Sequence, residues 1–118
     1  MHVINEEKLD NMLLELGHDD FNRGTAYLRQ AVKMYEPGVQ LTKELYPEIG
    51  KARGTTGPRV ERCMRHSIDK AWRRGSVEAQ HRYFGFSINP NTGKPQVGEY
   101  IARLSRMCEV EELDFGED

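Results

Sequence analysis

The side chains with the clearest chemical potential lie between Lys51 and Arg74. Eight basic residues stand there (Lys51, Arg53, Arg59, Arg62, Arg65, Lys70, Arg73 and Arg74) against two acids, Glu61 and Asp69, a net charge of +6. The two ends carry the opposite sign. Residues 1–20 hold one lysine and six acids, and residues 109–118 hold six acids and no base. A formal total of −2 thus conceals a cationic centre, an asymmetry that suits a surface meeting a polyanion. The competing explanation is a merely solvated helix face, and the spacing of the charges has to decide between them.

Spacing favours the first. At about 100° per residue, Val60, Cys63, Met64, Ser67, Ile68 and Ala71 share one face of a helix, while Arg59, Arg62, Arg65, His66, Asp69 and Arg73 share the other, with Glu61 at the border. Guanidinium forks can bind guanine edges, a carboxylate can accept from cytosine or orient a neighbouring arginine, and histidine can donate to phosphate or base. Thr55 and Thr56 offer N-caps, and with the free amides of a helix start they suit a phosphate contact. Pro58 is tolerated in the first turn and Gly75 closes the helix. Upstream, Ile49 is an apolar anchor, Gly50 a small contact residue and Gly54 a turn residue, the pattern of a helix-turn-helix whose second helix is anchored by Val60 and by Cys63 or Met64. Arg53 stands where that pattern expects an apolar side chain.

The rest of the chain reads as helices that position this pair. Asn5 caps a helix carrying Leu9, Met12, Leu13 and Leu16, stopped by Gly17. A second helix starts at Gly24 or Thr25, turns Tyr27, Leu28, Ala31, Val32 and Tyr35 inward, and ends at Pro37-Gly38. A third covers about Thr42 to Arg53, with Pro47 either separating its first turn or marking its true start. The long helix from about Gly57 to Arg74 follows, then a short one capped by Ser76 and running through Tyr83 or Phe84. The stretch GFSINPNTGKP is too rich in turn residues to be helical throughout. Pro95 opens a last helix with Val97, Tyr100, Ile101, Leu104, Met107 and Cys108 as its buried stripe. No two-residue alternation appears. The expected fold is all-α, a compact bundle of about six helices containing a helix-turn-helix. Residues 1–108 are expected to form one domain, followed by a frayed acidic tail over 109–118.

Composition narrows the function classes. The chain has 118 residues, 37% hydrophobic and 31% charged, which suits a small soluble domain and neither a membrane span nor a wholly disordered chain. The N-terminus lacks the basic-then-apolar order of a signal peptide, so a cytoplasmic, nucleoid-associated protein is expected. Cys63 and Cys108 stand far apart, both on expected buried faces, and His2, His18 and His81 have no ligand spacing. No metal, no cofactor and no nucleophilic cysteine is expected. No motif joins serine, histidine and aspartate, so no enzyme is expected. Trp72, between the two faces of its helix, reads as a packing anchor rather than a base-stacking platform.

The run TTGPRVERCMRHSIDKAWRRG, followed by FGFSI and KPQVGEYIARL, resembles the C-terminal effector domain of the stage-zero sporulation transcription factor of endospore-forming bacteria, a response regulator. The similarity extends from about Leu9 to Met107 and is densest over Leu45 to Gly75, where LYPEI, TT, RVER, RH and AW recur. The resemblance implies a six-helix DNA-binding domain that reads promoter elements in double-stranded DNA, two copies binding in tandem. Arg59, Glu61 and Arg62 would be the base readers, supported by Arg65 and His66 on bases or backbone. Independently of the resemblance, Thr55 and Thr56 at the helix start and Arg73 on the basic face are expected to add phosphate contacts. The resemblance also implies contact with a sigma subunit of RNA polymerase through the region from about Trp72 to Phe86, with Arg74, His81 and Arg82 as candidate residues.

The sequence departs from that family in places. The family's regulator carries a phosphorylatable receiver before this module and these residues hold none, which is expected of an isolated effector or of a receiver-free relative. Pro58 replaces a small polar residue before Arg59, and the link between the second and third helices is shorter. A second reading from a different class is a protein-interaction module, for instance an antagonist pairing with a full-length regulator and binding DNA weakly or not at all.

Overall fold

Capping side chains set the helix starts. The computed structural model describes residues 3–19, 22–85 and 93–110, and the structural statements below concern these. The Asn5 side chain accepts the Lys8 N–H (3.1 Å) at the head of α1 (Glu6–Glu15). Asn22 accepts the Gly24 N–H (2.7 Å) at the head of α2 (Arg23–Met34), so the helix begins just before its apolar stripe suggests. A single π-helical turn, Leu41–Leu45, then leads into α3 (Tyr46–Arg53). Pro47 lies in the first turn of α3, where a missing N–H costs nothing. Both expectations for this stretch hold: the first turn is separate, and Pro47 marks the start.

The Thr56 hydroxyl accepts the Arg59 N–H at the head of α4 (Gly57–Arg74), and Ser76 does the same for Ala79 (3.2 Å) at α5 (Val77–Phe84). α6 (Val97–Cys108) starts two residues after Pro95 rather than at it, with Gln96 at its cap. The six α-helices are the order the sequence predicts, and no named strand occurs among the described residues. An isolated bridge pairs Ile4 with Glu109. There the Asn5 N–H donates to the Cys108 carbonyl (2.8 Å) and the Val110 N–H to that of Val3 (2.8 Å). Glu109 and Val110 are therefore tied to the opposite end of the chain, while the rest of the expected acidic tail, 111–118, lies outside the described residues.

α4 is the axis of the bundle. α2 and α3 cover its buried face and α6 completes the cover, while α1 and α5 pack against α6. The core joins Leu9 and Leu13 of α1 with Leu16 just past its end, Leu28 and Val32 of α2, Ile49 of α3, Val60, Met64 and Ile68 of α4, Phe84 of α5, and Tyr100, Ile101 and Leu104 of α6. Trp72 packs edge-on against Phe84 (5.5 Å between ring centroids) and Tyr100 (6.2 Å). It is the packing anchor expected.

α2 and α4 cross so closely that a Cβ at Gly24 would collide with the Cys63 carbonyl oxygen, and would stand 2.6 Å from the Ser67 Cβ. The backbone oxygen cannot yield without moving α4. Gly24→Ala is expected to destabilise the domain by about 2–3 kcal/mol, as overpacking does. A lower urea midpoint with an unchanged m-value would report it.

A polar knot interrupts the apolar core beside this crossing. His18, between α1 and α2, is hydrogen-bonded through Nδ1 to the Ser67 hydroxyl (3.1 Å) and through Nε2 to the Tyr100 hydroxyl (2.6 Å). Thr25 Oγ1 lies 3.3 Å from the same Nδ1 and 3.1 Å from Ser67 Oγ. Four segments therefore meet at one imidazole, and each buried hydroxyl finds a partner, as buried polar groups must.

Candidate nucleic-acid interface

The helix pair that should carry the site is built from a three-residue turn. Gly54 closes α3 in the left-handed conformation (φ 71°), and the Thr55 N–H returns to the Gly50 carbonyl (2.8 Å). A side chain at Gly50 would place its Cβ 2.9 Å from both the Thr55 oxygen and the Thr56 carbonyl carbon, so the turn folds down onto Gly50 only because that residue is glycine. Ile49, Val60 and Met64 are fully buried as the anchors. Arg53, at the position where an apolar residue was expected, has its guanidinium 6.0 Å from the centroid of the Tyr27 ring, and its Nε donates to Gln30 Oε1 (2.7 Å). An exposed arginine is tolerated there because the ring beneath it is aromatic.

The helix pair holds the basic face of α4 in solvent. Arg59, Arg62, Arg65, His66 and Arg73 are exposed, as is Thr56, while Thr55 and Glu61 are half-buried. The face has two chemically different flanks. On one, Thr55, Arg59, Arg62 and His66 line a cleft of about 630 Å³ shared with Arg23 of α2 and Arg53 of α3. On the other, Glu61, Arg65 and Asp69 border a cavity of about 950 Å³ that also touches Leu41, Tyr46, Ile68 and Val97. There Glu61 accepts from Arg65 (2.7 Å) and Asp69 pairs with Lys94 (2.9 Å). Burial, and then the Glu61 charge, push the Tyr46 hydroxyl up to about 12, so it stays protonated at neutral pH.

Of the expected contact residues, Arg59, Arg62, Thr55 and His66 come together around one cleft, and Glu61 with Arg65 around the other cavity. Arg73 lies on the same outward face as Arg62 but three helical turns on, about 16 Å along the axis. Arg74, His81 and Arg82 form a separate group. Arg74 ends α4, about 22 Å along the helix from Arg59, and the other two are on α5, where Arg82 pairs with Glu15 (3.3 Å). Phe86, at the end of the expected sigma-contact stretch, lies outside the described residues.

Cys63 is half-exposed and lines the basic cleft, rather than being buried as its helical phase suggested, because it lies at the edge of the α2 crossing. Cys108 is buried, and burial raises its thiol pKa. Sequence reasoning passed over Arg23. Its one signal was a cation at the first turn of a helix with no acid there to offset it, a placement that local helix electrostatics disfavour. The knot around His18 was equally invisible, since its partners are far away in sequence.

No helix of the described residues is long and apolar enough to cross a membrane. An all-α bundle that anchors one face of a capped helix and turns an arginine-rich face outward is consistent with the class that a family match gives: a DNA-binding domain. The family described as sporulation initiation factor Spo0A C terminal matches residues 9–108, and the chain belongs to that family. It is a family of DNA-binding effector domains of a sporulation regulator, not of enzymes.

Proposed function

We propose that the domain reads short promoter elements in double-stranded DNA, with α4 in the major groove. The observation that carries this reading is the state of Arg59 and Arg62. Both are exposed on the outward face of a rigidly anchored helix, and neither is in an ion pair with any described residue. Free guanidinium forks at that position are the groups that recognise guanine edges. Arg59, Glu61 and Arg62 are the base readers, with Glu61 either accepting from cytosine or orienting Arg65, to which it is already bonded. Thr55, Thr56, Arg65, His66 and Arg73 hold the backbone or support the readers. Two copies bind in tandem, and the separate group at Arg74, His81 and Arg82 is the contact for a sigma subunit. A cytoplasmic, nucleoid-associated location follows from the DNA partner.

Selection from random duplexes at two salt concentrations tests this. Enrichment of a common short element is expected. Six cationic contacts would lower the affinity about a thousandfold between 50 and 200 mM salt. Recovery of unrelated sequences, or a flat salt response, would overturn the assignment.

A further inference from the structure

We propose that the cleft between the first turn of α2, the end of α3 and the first half of α4 seats one phosphate of the DNA backbone, with Arg23 and Arg53 closing it from outside the recognition helix. The inference rests on the DNA-reading assignment above and adds to it a second element of the domain, α2.

Four arginines (Arg23, Arg53, Arg59 and Arg62), His66 and Thr55 line this one cleft of about 630 Å³, and no acid is among its lining residues. Among the described residues, five cations elsewhere are ion-paired. Arg29 is paired with Asp10 and Glu6, Lys33 with Glu6, Arg65 with Glu61, Arg82 with Glu15 and Lys94 with Asp69. None of the four cleft arginines has a carboxylate partner among the described residues. Cations without an ion pair among the described residues occur elsewhere too, Lys51, Lys70 and Arg73 among them, and what sets the cleft apart is that four guanidinium groups share one concavity with no acid in its lining.

Helix electrostatics make the arrangement more costly still. α2 and α4 both begin at this cleft, both lack an acidic residue in the first turn, and each carries an arginine there, Arg23 and Arg59. Helix N-termini bear positive partial charge and are stabilised by anions. Two such ends and four guanidinium groups raise a positive potential that no residue lining the cleft offsets. A phosphodiester offsets it, and its two non-bridging oxygens match the fork geometry of arginine. Arg53 is pre-set for this role. Its Nε is engaged by Gln30 over the Tyr27 ring, which leaves the terminal amino groups as donors.

The position fits a duplex read by Arg62. Backbone phosphates flank the groove that a recognition helix enters, and contacts to them set register. On the opposite flank of α4 the cations Arg65 and Lys94 are neutralised by Glu61 and Asp69, so among the described residues no unpaired cation lines that side. The clamp is therefore one-sided and fixes the direction of α4 on the duplex.

Arg23→Gln tests the clamp, read by binding to pooled random-sequence 24-base-pair duplexes between 50 and 200 mM salt. Arg23 is exposed, and an unchanged thermal midpoint checks that the fold is intact. Loss of one phosphate contact lowers the slope of log affinity against log salt by about 0.9. From the same slope, affinity at 0.1 M salt falls about eightfold, alike for all sequences, and Arg23→Lys restores both. Arg53→Gln gives the same direction of change, and bound duplex slows alkylation of the Cys63 thiol inside the cleft of the parent protein. If Arg23→Gln and Arg53→Gln both keep the parent slope while Arg62→Ala still loses sequence preference, the clamp is wrong and the DNA-reading assignment stands. If the parent binds no duplex at 50 mM salt, both are wrong.

Discussion

Arg62→Ala is expected to weaken binding to the selected DNA element by about 1–3 kcal/mol, a loss of roughly 5- to 150-fold, and to flatten preference at one base pair. The size follows from where Arg62 stands. It occupies the middle of the outward face of α4, is exposed, and has no ion pair among the described residues to be broken before it meets a base. Its helix is held in place by the tight crossing at Gly24 and by the anchors Val60 and Met64, so little orienting cost is left to the moment of binding. Alanine at an exposed helical site should leave folding stability within about 0.5 kcal/mol, which makes the loss attributable to recognition. Arg73→Ala, three turns along, should weaken all sequences alike. Equal affinity of the parent and Arg62→Ala for the selected element would refute the base-reading role.

His18→Leu is expected to cost about 3 kcal/mol of stability at pH 7.5 and almost nothing at pH 4. The first part comes from the Tyr100 hydroxyl, which loses its described partner in a buried site, while Ser67 and Thr25 keep each other. The second comes from protonation. Burial, and then the nearby Arg74 charge, lower the His18 pKa from 6.5 to about 4. The unfolded chain therefore takes up this proton near pH 6.5 and the folded chain only near pH 4. Stability due to the neutral imidazole is complete above pH 6.5 and falls as the pH drops, by about 1.4 kcal/mol per unit until pH 4, about 3 kcal/mol in all. The leucine variant has no such dependence. Urea unfolding of both proteins from pH 7.5 to 4 should show two stability curves converging as the medium is acidified. A constant gap would mean that His18 is not held neutral in the fold.

The two effects concern one structure from opposite sides. Arg62 faces outward from α4, and His18 ties the inner face of the same helix, through Ser67, to α2 and α6. Loosening that knot should blur recognition as well as stability, because a base-reading side chain is only as well placed as the helix that carries it.

Much of this was legible in the residues. The start and end of α4, the Thr56 and Ser76 caps, the separate turn before Pro47 and the division of α4 into an apolar and a basic face all follow from neighbours within one or two turns. The family resemblance over the helix pair pointed to the same surface. Arg53 shows where such reading stops: it breaks the expected apolar pattern, and only the Tyr27 ring from another helix explains why it can. Cys63 shows the same limit, since its angular position is right for burial but it lines the basic cleft and stays half-exposed.

The sequence by itself determined the order of the helices, the Asn5 and Ser76 caps and the outward basic face, because each depends on hydrogen bonds and side-chain spacing within a short stretch of chain. Only the tertiary structure decided which charges share a cleft and which hydroxyls share a histidine. Arg23 meets Arg59, and His18 meets Tyr100, because the crossing of α2 over α4 at Gly24 brings distant turns together. That crossing is a property of how whole faces pack, and no local pattern encodes it.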